Sequence, residues 1–239
     1  MDIALYDKPL KIELIGVNLF VNGDQHPKST RTLGQMKDTM MSFKEYASNV
    51  DMYFMYRDVY AHGGIRFDMT LIPPLDIEGE CAKTHGHYHP PSDDGLPYPE
   101  IYQVLHGNAV FILQKKNRNG SVDAIILNAR ERDCVLLPPG WGHVSVNNGP
   151  EPLVLSNLVY DKFESLYDEY DENRGAAYYY LKGGEVQQNI NYIIQRSEHV
   201  EAKELNARYG FSCKDLLAEF SSEPKRFEFL AKPRTMFKG

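Results

Sequence analysis

Thr84-His85-Gly86-His87-Tyr88-His89, followed by Glu100 and, later, by Pro138-Pro139-Gly140-Trp141-Gly142-His143 running on to Asn147, decides how this chain is read. In a strand, side chains two residues apart share a face, so two of the three clustered histidines can reach one ion together. Parity permits either His85 with His87 or His87 with His89. A carboxylate from the next part of the sheet, Glu100, and a histidine from a second hairpin, His143, complete a set of three His and one Glu. Such nitrogen and oxygen donors suit Fe(II), Mn, Ni, Zn or Co and do not choose among them. Open positions on the ion are what would make it catalytic rather than structural. His26, His62, His106 and His199 lack such company and read as ordinary polar residues.

Around these blocks the text is that of an all-β protein. Short β-rich runs (Tyr53–Tyr60, Ile65–Leu71, Ile101–Leu105 with Ala109–Gln114, Val122–Leu127, Cys134–Leu137, Leu153–Tyr160) alternate with Gly, Pro, Asn and Asp. That punctuation predicts a barrel or sandwich. Asn117-Arg118-Asn119-Gly120 reads as a hairpin turn, since Asn-Gly tolerates the positive φ such turns need. Ahead of the runs, Ile12, Leu14, Gly16 and Leu19 suggest a short strand, and Thr32–Ala47 is compatible with a helix. Behind them come the helix-like phrases Val200–Tyr209, closed by Gly210, and Ser212–Phe220, with Ser212 as its N-cap. The expected organisation is an N-terminal arm over residues 1–50, a β-barrel over 51–195 and a helical extension over 196–239.

Composition narrows the class of function. With 239 residues and 42% hydrophobic content, the chain is long enough to bury a sizeable core. A net charge of −7 without a basic block argues against a nucleic-acid surface. An anionic small molecule is still compatible, because backbone N–H groups and hydroxyls can hold a phosphate locally. The three cysteines, Cys81, Cys134 and Cys213, form no CxxC pair; Cys81 and Cys134 lie in apolar, strand-like settings and read as buried free thiols. No secretory leader is evident after Met1, and no run approaches the roughly 18 apolar residues of a membrane span. A cytoplasmic protein that takes no membrane or nucleic-acid partner is the expectation.

The wording of the blocks resembles one known family. Thr84-x-Gly86-His87-x-His89, Pro99-Glu100-Ile101-Tyr102, Gly107 and Leu113-Gln114 are similar to the first motif of the cupin-type, metal-dependent phosphoglucose isomerases. Val135-x-x-Pro138-Pro139-x-Trp141-x-His143-x-x-Val146-Asn147 is similar to the second. Lys28-Ser29-x-Arg31-x-Leu33-x-x-Met36 resembles the family's N-terminal arm. Two departures stand out: Arg132 replaces a customary glycine, and Pro90–Pro99 lengthens the link between His89 and Glu100.

The resemblance implies an RmlC-like jelly-roll barrel and reversible aldose–ketose isomerisation of glucose 6-phosphate to fructose 6-phosphate through a cis-enediol, in glycolysis and gluconeogenesis. It implies one divalent ion per subunit (Fe2+ favoured; Mn2+, Zn2+, Ni2+ or Co2+ also suited) on His87, His89, Glu100 and His143, in a homodimer. It leaves His85 facing substrate or supporting the ligands. It gives Glu100 and Tyr160 catalytic roles and assigns Tyr56, Thr70, Thr84, Gly86 and Tyr167 to the sugar phosphate. Thr70 lies fourteen residues before Thr84, as in that family. Two other readings stay open on the residues alone: another metal-dependent enzyme (a dioxygenase, or a different sugar isomerase or epimerase) and a non-enzymatic sugar-binding protein.

Overall fold

The computed structural model describes residues 2–238; Met1 and Gly239, the outer ends of the expected arm and extension, lie outside the described residues. The chain opens with a meander of β1 (Asp2–Tyr6), β2 (Ile12–Ile15), β3 (Asn18–Val21) and β4 (Asp24–Gln25), followed by β5 (Ser29–Thr32). Next come the long hairpin β6 (Asp51–His62) and β7 (Ile65–Ile72) and the short hairpin β8 (Asp76–Ile77) and β9 (Glu80–Cys81). The central strands are β10 (Glu100–His106), β11 (Asn108–Lys116), β12 (Val122–Arg130), β13 (Cys134–Leu137), β14 (Gly142–Asn147) and β15 (Leu153–Tyr160). After helix α1 (Asp168–Glu172), strands β16 (Tyr178–Tyr180), β17 (Val186–Gln188) and β18 (Ile194–Glu201) lead to helices α2 (Ala202–Arg208) and α3 (Leu216–Ser222).

The β-rich runs read from the sequence are all strands, and their alternation explains the architecture. A six-stranded sheet, β13-β10-β15-β7-β6-β5, faces a four-stranded sheet, β14-β11-β12-β18. These sheets do not close into one hydrogen-bonded barrel; the expected all-β architecture takes the form of two packed layers. Val104, Val135, Leu137, Leu153 and Leu155 of one sheet meet Phe111, Leu113, Ile125 and Leu127 of the other in a common core. Each fully buried aliphatic or aromatic side chain there contributes about 1.5–3 kcal/mol. The Asn117–Gly120 turn joins β11 to β12 in unbroken register from Asn108↔Arg130 to Lys116↔Val122.

The opposite parity of the six-stranded sheet is also apolar. Phe54, Phe67, Met69, Leu71, Ile101, Leu136 and Leu158 point outward and are covered by Ile12, Leu14 and Leu19 of the meander and by Leu216, Leu217 and Phe220 of α3. Both ends of the chain therefore pack on one face. The C-terminal segment also reaches the Pro90–Pro99 insertion, where the Arg234 backbone N–H and Nε each donate to Asp94 at 2.8 Å.

Three local expectations are corrected. Thr32–Ala47 is not one helix: Thr32 ends β5, and only the 3-10 turns Gly34–Thr39 and Glu45–Ala47 follow, because Leu33, Met36 and Met40 are drawn into the core between the sheets. The first C-terminal helix starts at Ala202 rather than Val200, since Val200 and Glu201 still pair with Leu127 and Asn128 of β12. The second begins after Asp215, whose carboxylate accepts from Ala218 N at 2.9 Å and takes the capping role expected of Ser212.

Candidate metal centre and cavity

The histidine stretch is extended but not a regular strand; it touches β14 through isolated bridges at Lys83↔Val146 and His87↔His143. Gly86 explains the irregularity. A Cβ on it would lie 2.1 Å from the ring of Tyr170, which packs where a side chain would otherwise be. His85 turns its Nε2 to Asp171 at 2.7 Å, although it borders the same cavity as His87 and His89. The parity ambiguity resolves there: His87, His89, Glu100 and His143 each offer a donor atom, all within 4.8 Å of one another.

Their orientation suits a cation. Carbonyl oxygens only accept, so Nδ1–H of His87 donates to His85 O (3.3 Å) and Nδ1–H of His89 to Tyr98 O (2.9 Å), leaving both Nε2 lone pairs for the cluster. Glu100, at the start of β10, places Oε2 3.3 Å from His143 Nε2 and 3.4 Å from His89 Nε2. That oxygen is buried without a hydrogen-bond partner, while Oε1 accepts from Asn157 Nδ2 at 2.7 Å. Leaving a buried carboxylate oxygen unpaired is costly, and a divalent ion among the four donors would satisfy it. The donor set therefore fits one metal ion.

Burial, reinforced by the neighbouring His143 and His89, pushes His87 far below the ordinary imidazole range. His89 is held down to about 4 by burial, against the pull of Glu100. Burial alone would raise Glu100, but His143 and His89 beside it outweigh that and hold the carboxyl below its usual range. The metal-free protein should consequently be acid-labile. The unfolded chain protonates His89 near pH 6.5 and the folded chain only near 4, so this stability is complete above the first value and drains away toward the second. The loss amounts to about 3 kcal/mol from this residue. Urea melts in EDTA at pH 7 and pH 4.5 measure it; equal midpoints would contradict a neutral, buried His89.

The cluster opens into a cavity of about 460 Å³ whose lining includes Tyr53, Thr70, Thr84, Ser145, Tyr160, Phe163 and Tyr167. Thr70, Thr84, Tyr160 and Tyr167 line the same cavity as His87, His89 and Glu100. Tyr167 lies edge-on to His85, with ring centres 5.0 Å apart. Gly86 is not among the residues lining the cavity, and the Tyr170 ring fills the position its Cβ would take.

Tyr56 is corrected outright. It points to the outer face, buried among the meander, with its hydroxyl donating to Val17 O at 2.8 Å. Tyr53, three residues earlier and of opposite parity, is the tyrosine of β6 that faces the cavity, its oxygen accepting from His85 N at 3.3 Å. The sequence reading also missed Tyr102, whose hydroxyl lies 3.2 Å from His143 Nε2, and Asn157, which orients Glu100. Strand parity could have found both: Tyr102 shares a face with Glu100, and Asn157 is a polar residue inside an apolar run.

Residues 30–195 match the family described as Glucose-6-phosphate isomerase (GPI). A glucose-6-phosphate isomerase of Thermococcus onnurineus is 26% identical over 165 residues, covering 66% of this chain and 83% of that protein. One from Pyrococcus furiosus is 26% identical over 63% of this chain and 78% of its own, and one from Sinorhizobium medicae is 34% identical over a shorter 39% and 40%. Among solved structures, an oxalate oxidase superposes with a TM-score of 0.38 at 15% identity, over 48% of this chain and 55% of that one.

Proposed function

From the premise that this chain is an enzyme belonging to the glucose-6-phosphate isomerase family, we propose that it interconverts glucose 6-phosphate and fructose 6-phosphate by proton transfer through a cis-enediol. The observation that carries this reading is one cavity in which a four-donor metal cluster faces a separate group of hydroxyls. Thr84 and His87 are three residues apart in extended chain, about 10 Å, which is the scale of a hexose phosphate. The phosphate is assigned to Thr70, Thr84 and Tyr53, with Ser145 Oγ, buried and without a partner, beside them. The reacting carbons then lie toward Glu100.

His87, His89, Glu100 and His143 would hold the ion, Fe2+ first and Mn2+, Zn2+, Ni2+ or Co2+ as alternatives. When bound, it supplies positive charge that polarises the substrate carbonyl and stabilises negative charge developing on its oxygens. Glu100 Oε1, steadied by Asn157, takes the proton from C2 and returns it to C1, while the hydroxyl proton moves between O2 and O1. Tyr160, at the end of β15 on the cavity wall, acts as acid toward the substrate oxygen. The Tyr102 hydroxyl lies 3.2 Å from His143 Nε2, the ring nitrogen that faces Glu100.

The protein is read as a cytoplasmic homodimer whose cupin unit spans 51–195 between an arm (1–50) and an extension (196–239). Among the described residues no helix is long and apolar enough to cross a membrane. Incubation of the metal-loaded protein with glucose 6-phosphate, followed by NMR, should show fructose 6-phosphate accumulating to equilibrium; no conversion under any of the five metals sinks the proposal. Thr70→Val, which removes a hydroxyl but suits a strand, should raise KM about tenfold with kcat little changed. A loss confined to kcat in a steady-state assay would contradict the phosphate assignment.

A further inference from the structure

The same cavity has a charged wall that isomerisation of a monophosphate does not use. Arg57 on β6 and Arg66 and Asp68 on β7 all line it. Arg66 Nε donates to Asp68 Oδ1 and Oδ2 at 2.7 and 2.8 Å, and Arg57 Nη1 lies 3.7 Å from Oδ2. Asp68 also accepts the backbone N–H of Asp58 at 2.7 Å, a residue held at φ 62° where the register of β6 slips between Tyr56 and Tyr60. Arg57 itself reaches the wall by regular alternation with Tyr53 and Met55 of β6. Among the described residues neither Nη of Arg66 is hydrogen-bonded, and Arg57 Nη2 meets only Met55 Sδ, at 3.5 Å. Two guanidinium groups share one buried carboxylate, so the wall carries surplus positive charge and spare N–H donors. The other carboxylates of the cavity are Glu100, committed to the metal cluster, and the exposed Glu164 on the rim.

Position gives the cluster its meaning. Thr70, Asp68 and Arg66 alternate along the inner face of β7, opposite Leu155, Asn157 and Val159 of β15. Arg66 therefore lies four residues, about 13 Å of strand, from Thr70. Asn157, opposite Asp68, is the residue that holds Glu100, so the guanidinium groups occupy the end of the cavity beyond the metal cluster as viewed from the hydroxyls. Planar, fixed N–H forks of this kind match phosphate oxygens.

We propose that Arg57 and Arg66 form a second anion subsite, and that the protein binds sugars acidic at both ends, hexose bisphosphates, more tightly than monophosphates. The spacing rests on the phosphate assignment made above. A bisphosphate would span the cavity with one phosphate on the hydroxyls and the other on the arginines. With its C1 oxygen esterified it cannot become an aldose, so it is a competitive ligand rather than a substrate. Flux of a phosphorylated product back onto this cavity would restrain isomerisation.

The test is calorimetric titration of the metal-loaded protein with fructose 1,6-bisphosphate and with glucitol 6-phosphate, neither of which an aldose–ketose isomerase turns over. The bisphosphate should bind about tenfold more tightly or better. Arg57→Gln should abolish that preference while leaving glucitol 6-phosphate unchanged; its side chain is 52% exposed, so folding is unaffected. Arg66→Gln should do the same, with thermal melting alongside because it leaves Asp68 unpaired; if it unfolds, Arg57→Gln decides. Equal affinity for the two ligands, or a preference that survives substitution, overturns the subsite. A preference lost in Arg57→Gln in a protein that fails to isomerise glucose 6-phosphate would uphold the subsite and remove the isomerase reading instead.

Discussion

Stripping the ion with EDTA should reduce isomerisation of glucose 6-phosphate by about a thousandfold or more, and adding back Fe(II) or Mn(II) should restore it. The size follows from what the ion is asked to do: charge stabilisation of several kcal/mol at the reacting oxygens, each 1.36 kcal/mol being a factor of ten in rate. Glu100 is an anion, Tyr102 and Tyr160 offer hydroxyls, and the cavity's two guanidinium groups, Arg57 and Arg66, are held on Asp68 rather than among the four donors. The same treatment should lower thermal stability, since a ligand that binds only the folded form adds RT ln(1 + [L]/Kd). Activity, metal content and melting temperature should therefore fall and recover together. Full activity in protein verified to be metal-free would end the metal-assisted reading.

Glu100→Gln should lower kcat by about a hundredfold to ten-thousandfold with a smaller change in KM, the range typical of losing a general acid–base group. Glutamine keeps the shape and can still accept from Asn157 at the position of Oε1, but an amide does not carry a proton between carbons. Glu100 is also placed as a metal donor, so metal content must be measured on the same preparation. Lost turnover with retained metal supports the shuttle; lost metal reduces the role to ligation; unchanged turnover with retained metal refutes the assignment. Product formed in D2O separates proton transfer from hydride shift, because only the former carries solvent deuterium into C1 or C2. In Glu100→Gln that incorporation should fall with the rate.

The metal centre was readable because its chemistry is carried by residue type and close spacing: three histidines and a glutamate in two compact blocks. What parity left open at His85 was settled by a partner far along the chain, Asp171, and by a ring, Tyr170, that no local rule connects to Gly86. Tyr56 was misplaced for a related reason. A one-residue slip in strand register exchanges the two faces, and β6 presents Tyr53 to the cavity and Phe54 and Tyr56 to the meander. The strands were legible from their punctuation, whereas the outer packing was not. Arg57, Arg66 and Asp68 look like ordinary surface charges in the sequence; only the pairing of β6 with β7 brings them to one wall.

The Tyr170 ring against Gly86 has a consequence for how the protein is made. All four metal donors have been synthesised by His143, yet the ring that stands in for the missing side chain of Gly86 comes 27 residues later. A chain emerging from the ribosome therefore owns every ligand before it owns the wedge that shapes the ligand-bearing strand. A chain ending between Asn147 and Tyr170 would carry the motif intact and lack the ring that packs against Gly86.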